Sequence, residues 1–121
     1  MARPKRIIFI RHGESMANVD VSLHARVPDH KISLTEIGKQ QARDAGASIA
    51  KIIQGQKMAI YCSPFLRTRQ TAEHLLSQIP VEQIERFRED PRIREQEWGN
   101  FQELAEIENV DKERTDFGIF F

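Results

Sequence analysis

Four consecutive apolar positions, Ile7 to Ile10, follow the basic start Arg3, Lys5 and Arg6. A β-branched and aromatic run of this kind predicts a strand covered on both faces, as in a parallel sheet. From Gly13 to about Ser33 the pattern loses its period, turns polar and includes Pro28 and Asp29. That predicts a long loop, with one helical turn near Met16, and loops of this length in compact domains are usually functional. At Thr35 the spacing becomes helical. Thr35 is a good N-cap, Glu36 puts negative charge in the first turn, and Gly55 is a natural stop. Ile37, Ala42, Ala45, Ile49, Ile52 and Ile53 form the expected buried stripe. A second strand is expected from Lys57 to Cys62. A second helix follows, with Ser63 as cap and Pro64 in the first turn, carrying Leu66, Ala72, Leu75, Leu76 and Ile79 and ending before Pro80. A third strand is expected around Ile84 to Phe87, and a weak helix from Gln102 to about Val110. Alternating strands and helices predict an α/β fold with a mostly parallel sheet.

Composition narrows the function classes. A chain of 121 residues allows one domain, or part of one. With 40% hydrophobic and 30% charged residues it is suited to a packed core rather than to disorder. The 18 basic and 18 acidic side chains cancel, so neither nucleic acid nor an anionic membrane is an expected partner. Anion binding must come from a local arrangement. The single cysteine, Cys62, excludes an intrachain disulfide and a zinc cluster and predicts a reducing, cytoplasmic setting. No apolar run is long enough to span a bilayer, and Arg11 and His12 interrupt the first one before it could serve as a signal peptide. No spaced His/Cys/carboxylate cluster is present, so neither a metal nor a cofactor is expected. A dinucleotide site is equally poorly supported, because no Gly-x-Gly-x-x-Gly follows the first strand.

Three segments carry candidate chemistry, each directly after a predicted strand, where open α/β sheets bind ligands. The first is Arg11-His12-Gly13-Glu14-Ser15. A neutral, oriented imidazole can attack phosphorus, an adjacent guanidinium can grip the phosphoryl oxygens, and a glycine lets the backbone come close. In isolation the same pentad reads equally well as an ordinary strand end. The second is Ser63-Pro64-Phe65-Leu66-Arg67-Thr68-Arg69-Gln70-Thr71, opening a helix whose N-terminus favours anions. Arg67 is expected on the rim that holds His12, and Arg69 is expected to be a solvated helix charge. The third is Ile93-Arg94-Glu95-Gln96-Glu97-Trp98-Gly99, in which Glu95 or Glu97 could protonate a leaving oxygen.

Taken in order, Arg11-His12-Gly13-Glu14, Leu34-Thr35-Glu36-Ile37-Gly38 with Gln41-Ala42, Ser63-Pro64 with Arg67-Thr68 and Gln70-Thr71-Ala72, and Arg94-Glu95 before Gly99 resemble the histidine phosphatase superfamily over about residues 6–102. Pro28-Asp29-His30 and Glu97-Trp98-Gly99-Asn100 are similar to its phosphoglycerate mutase-like branch. The resemblance implies a three-layer α/β sandwich with a mostly parallel sheet. It implies that His12 is the phosphorylated nucleophile, that Arg11 and Arg67 hold the phosphate, that Asn18 and Ser15 add contacts, and that Glu95 is the proton donor, with Glu97 secondary.

The implied activity is hydrolysis of a small phosphomonoester through phospho-His12. A phosphoglycerate mutase, an isomerase that returns the phosphoryl group to a second position, is the alternative among enzymes. The loop carries Arg26 but lacks the tryptophan-bearing pattern of typical mutases, which favours the phosphatase. Two departures stand out. The family's second pocket histidine has no counterpart among His24, His30 and His74, none of which follows a strand or precedes a glycine. The apolar end Asp116 to Phe121 predicts a chain truncated within a single partial domain, 1–121. A non-catalytic, phosphate-binding pseudoenzyme is therefore the reading from another class. The expected partner is a small phosphorylated substrate; nothing in the pattern speaks to oligomeric state.

Overall fold

The computed structural model describes residues 3–94. The candidate acids Glu95 and Glu97, and the helix expected over 102–110, lie outside the described residues. The elements run α1 (Met16–Val19), α2 (Glu36–Ile53), β1 (Met58–Cys62), α3 (Leu66–Leu76) and β2 (Ile84–Glu89), with short 3-10 turns at Val21–Ala25, Asp29–Lys31 and Val81–Gln83. Strands β1 and β2 pair in parallel, joined by the α3 crossover, which makes this an α/β fold. The ladder is extended where the N–H of Asp90 donates to the carbonyl of Cys62, at 2.9 Å.

Helix α2 starts where its cap demands. The Thr35 hydroxyl accepts from the N–H of Gly38 at 3.0 Å, satisfying one of the donors that a helix start leaves open. It ends with Gln54 in the left-handed region, φ 46°, followed by Gly55 at φ 79°. Its buried line is Gly38, Ala42, Gly46, Ile49 and Ile53, at spacings of four and three. Ile37 and Ile52, expected in the stripe, are 60% and 49% exposed. Two glycines take part of the stripe instead, and they let other backbone come close.

The core sits between α2 and α3. Ile49, Ile53, Leu75 and Ile79 form the buried cluster, flanked by Ala45, Ala50, Met58, Leu76 and Ile84. At the crossing Gly46 lies against the backbone of Leu75. A methyl group at Gly46 would collide with the Leu75 carbonyl oxygen and come within 3.1 Å of its Cα. Gly46→Ala is expected to lower stability by about 1–2 kcal/mol, because overpacking of roughly 1–3 kcal/mol outweighs a helix-propensity gain of at most about 1 kcal/mol. A urea melt checks this: the midpoint should fall with the slope unchanged.

Two expectations need correction. The second helix begins at Leu66, with Phe65 as N-cap, not at Ser63-Pro64. The Ser63 oxygens are engaged differently: its hydroxyl accepts from the Phe65 N–H at 3.3 Å and its carbonyl accepts from the Thr68 hydroxyl at 2.7 Å. Pro64 therefore belongs to the turn ahead of the helix. The run Ile7 to Ile10, expected as a buried strand, is in no ladder among the described residues, and Ile7 and Phe9 are 72% and 91% exposed. An apolar run records a demand for burial, and burial also needs a neighbour to supply ladder partners and cover. Here the segment is tied at its two ends, where Arg6 donates to the Ile52 carbonyl at 2.9 Å and the Gly13 N–H donates to the Thr71 hydroxyl at 3.2 Å.

Arg69 is exposed, yet it is not merely solvated. Its guanidinium makes a two-pronged contact with the Glu89 carboxylate, at 2.6 and 2.8 Å, bridging α3 to β2. The hydrogen bonds from Arg69 hold the Glu89 carboxyl below its ordinary range. Among the described residues no helix is long and apolar enough to cross a membrane.

Candidate active site

The loop after residue 10 is fixed from below by the helices. The N–H of Glu14 donates to the Gln41 side-chain oxygen at 2.8 Å, and the Glu14 carboxylate accepts from the Thr35 hydroxyl at 2.8 Å. The N–H of Thr35 donates to the Glu14 carbonyl at 3.0 Å, and the N–H of Met16 to the Ser33 carbonyl at 2.9 Å. Gln70 of α3 accepts from the N–H of Leu34 at 2.7 Å. The Thr71 hydroxyl accepts from the Gly13 N–H and donates to the Arg67 carbonyl at 2.7 Å, so it links the backbone beside His12 to the helix turn that bears Arg67. Gly13 and Gly38 let the loop lie directly on the start of α2. A methyl group on Gly38 would strike the Glu14 carbonyl oxygen and come within 2.8 Å of its nitrogen.

Held this way, Arg11, His12, Ser15, Asn18 and Arg67 line one open cavity of about 80 Å³, with Ala17 and Ile32 as its apolar part. On this measure a water needs roughly 10–15 Å³, so the cavity has room for a phosphoryl group, and it opens to solvent. Arg67 is on the side of His12. Ser15 and Asn18 stand together through the first turn of α1. The Asn18 side-chain oxygen accepts from the Ser15 N–H at 2.9 Å and from its hydroxyl at 3.1 Å. Arg11 and Asn18 are exposed, His12 is half-buried, and Ser15 and Arg67 are buried.

The orientation of His12 decides what it can do. Its Nδ1 lies 2.7 Å from the Gly13 carbonyl oxygen. A carbonyl can only accept, so Nδ1 carries a proton, and in the neutral form of the ring the lone pair is on Nε2. That is the state in which an imidazole acts as a nucleophile. Cys62 is no rival. Burial pushes its thiol up, and its sulfur is turned toward the carbonyls of Ser63 and Thr68, at 3.1 and 3.5 Å.

Two cavity residues have no counterpart among the sequence candidates. His24 arrives on the 3-10 turn Val21–Ala25, and Asp29 on the turn Asp29–Lys31. Both lie in the aperiodic loop, where spacing gives no orientation; Asp29 stood out in the sequence only as part of Pro28-Asp29-His30. Asp29 is a partner of Arg67. Its carbonyl accepts from Nη1 at 2.7 Å, and its carboxylate lies 3.1 Å from Nη1 and 3.3 Å from Nη2. The guanidinium also stacks over the Phe65 ring, 5.1 Å from its centroid. Arg26, by contrast, is committed to Asp20, whose carboxylate accepts from it at 3.1 Å. No group of three or more His, Cys, Asp or Glu that could hold a metal occurs among the described residues.

The family model of the histidine phosphatase superfamily (branch 1) matches residues 7–120. A phosphoglycerate mutase-like protein of Arabidopsis thaliana is 42% identical over 98% of this chain, and the chain spans 45% of that relative's length. A broad-range acid phosphatase of Saccharomyces cerevisiae is 24% identical over 99% of the chain, which spans 63% of the yeast protein. Among solved structures, a mycobacterial glucosyl-3-phosphoglycerate phosphatase in complex with VO3 matches with a TM-score of 0.54 and 28% identity, over 88% of this chain and 49% of its own.

Proposed function

The chain belongs to the histidine phosphatase superfamily, branch 1, and on that premise we propose that it acts in hydrolysis of a small phosphorylated metabolite through a phosphohistidine at His12. The observation that carries this reading is the His12 ring itself. Its Nδ1 proton is spent on the Gly13 carbonyl and its other nitrogen is left for attack, in a cavity that also holds Arg11 and Arg67.

The chemistry follows from those positions. The Nε2 lone pair forms a bond to phosphorus while the ester P–O bond breaks. The departing alkoxide needs a proton, and Glu95 is the proposed donor. Arg11 and Arg67 stabilise the charge on the non-bridging oxygens during transfer, by paired hydrogen bonds that a guanidinium makes well. Water then attacks the phosphohistidine, the Glu95 carboxylate takes its proton, and inorganic phosphate leaves with His12 neutral again. The two guanidiniums beside His12 support a site that grips the phosphoryl group. The names of the yeast and mycobacterial relatives favour hydrolysis over return of the phosphoryl group in a mutase cycle. A reducing cytosol is the setting proposed from the lone, buried Cys62.

The test is chemical trapping. The protein is mixed with a reactive aryl phosphate, quenched and weighed by intact mass. A single phosphoryl adduct, stable in base and lost in acid, is the expected result. Hydrolysis with no adduct at any quench time would exclude the covalent route. Neither adduct nor hydrolysis would leave the pseudoenzyme reading in its place.

A further inference from the structure

Among the described residues the carboxylate lining the cavity is that of Asp29, and it sits on the cation that should receive the phosphate. Arg67 is held by Asp29 in two unequal ways. The backbone carbonyl contact, at 2.7 Å, is short and firm. The carboxylate contacts, at 3.1 and 3.3 Å, are longer than the 2.7–2.9 Å typical of well-formed charge-assisted bonds. The exposures are also unequal: the Arg67 side chain is 5% exposed, that of Asp29 34%. The guanidinium is thus held by its buried stem, the Phe65 ring and a backbone carbonyl, while the carboxylate lies on the water side of the pair. It hangs from a three-residue turn and has solvent to move into.

We infer that Asp29 is a displaceable counter-anion of the phosphate subsite: an incoming phosphate takes its place on Arg67, and its return helps expel the inorganic phosphate product. The inference rests on the phosphatase reading above. A doubly charged phosphate and a carboxylate cannot share one guanidinium without repulsion of several ångström range. Without phosphate the carboxylate offsets part of the guanidinium's charge. With phosphate present, the carbonyl still holds the guanidinium and the side chain turns outward. Asp29 therefore weakens phosphate binding while it keeps Arg67 in place. Its role is in affinity and product release, and it does not touch the reacting atoms.

This makes an unusual sign prediction. Asp29→Asn keeps the shape and the carbonyl contact and removes the charge. Inorganic phosphate, as a competitive inhibitor of aryl phosphate hydrolysis, should bind roughly three- to tenfold more tightly. KM for the aryl phosphate should fall in the same proportion, and kcat should stay level or drop as release slows. Asp29→Ser, smaller and also uncharged, should move in the same direction, and Asp29→Glu should stay near wild type. A merely structural role predicts the opposite, since a loosened Arg67 binds phosphate less well. If both uncharged variants are folded and bind phosphate no better than a wild type that turns over, Asp29 is a simple brace and the inference fails. If either variant does not fold, the other decides, together with the thermal stabilisation that added phosphate gives it. If the wild type itself neither hydrolyses the aryl phosphate nor forms an adduct, the functional reading fails first and takes this one with it.

Discussion

His12→Ala is expected to abolish phosphoryl transfer: no acid-labile adduct, and hydrolysis of an aryl phosphate reduced by at least about 10⁴-fold, as losing a covalent nucleophile does elsewhere. The size of the effect comes from removing the group that forms the covalent bond to phosphorus. Cys62, the other soft nucleophile, is buried with a raised pKa and faces two carbonyls. Among the described residues the other polar groups of the cavity are two guanidiniums, a serine, an asparagine, the Asp29 carboxylate and His24, and no described contact orients His24 as the Gly13 carbonyl orients His12. The loss should come with little unfolding. The His12 side chain is half-buried with one hydrogen bond of its own, to Gly13, so removing it should cost about 1 kcal/mol. The loop beside it is held mainly through the backbone, by Thr71, Gln41 and Thr35. Intact mass after quenching, hydrolysis rate and melting temperature, measured on one preparation, separate the two causes. An adduct of undiminished amount on the alanine variant would place the nucleophile elsewhere.

The sequence expressed the helices and the placing of His12 and Arg67 on one cavity well, and the reasons are local. Thr35 caps α2 because a short hydroxyl can reach the Gly38 N–H, a property of the residue and its place. The parallel pairing of β1 and β2 follows from a helix lying between them. Arg11, His12 and Arg67 line one cavity because the Thr71 hydroxyl ties the Gly13 N–H to the turn of α3 that bears Arg67, while β1 delivers that helix start to the same place. Other features depended on partners that no local pattern names. The buried line of α2 includes Gly38 and Gly46, which carry no side chain for a hydropathy count to register, while Ile37 and Ile52 fall just off it. Ile7 to Ile10 read as a strand from their own chemistry, and strand formation is a property of pairs. Arg69 looked solvated because its partner Glu89 lies 20 residues away on β2. His24 and Asp29 reach the cavity through 3-10 turns in an aperiodic loop. Several residues of the recognisable motifs turn out to brace the site: Glu14, Thr35, Gly38, Gln41, Gln70 and Thr71 fasten the loop to two helices.

Arg67→Ala is expected to damage both activity and stability, and the two losses have different origins. The guanidinium supplies paired hydrogen bonds to the transferring group, so its removal should lower kcat/KM by about 10²–10³. Arg67→Lys keeps a charge but loses the planar fork and the stacking on Phe65, and should recover only part of that. The stability loss comes from what stays behind. The side chain is 5% exposed, and its deletion leaves a void beside Phe65 and strands the Asp29 carboxylate and carbonyl. Breaking a buried pair from one side costs roughly 3–5 kcal/mol, and the partial exposure of Asp29 argues for the lower end, about 3 kcal/mol. This origin can be checked by a second substitution. Once Arg67 is gone, the charge of Asp29 has lost its compensation, so Asp29→Asn should be stabilising in the alanine background and neutral or slightly destabilising in the wild type. The double variant should then be more stable than Arg67→Ala alone, with a coupling on the order of 1 kcal/mol. Urea unfolding of the four proteins measures it. Additive effects would mean that the carboxylate scarcely feels the guanidinium, and the same result would remove the ground for its competing with phosphate.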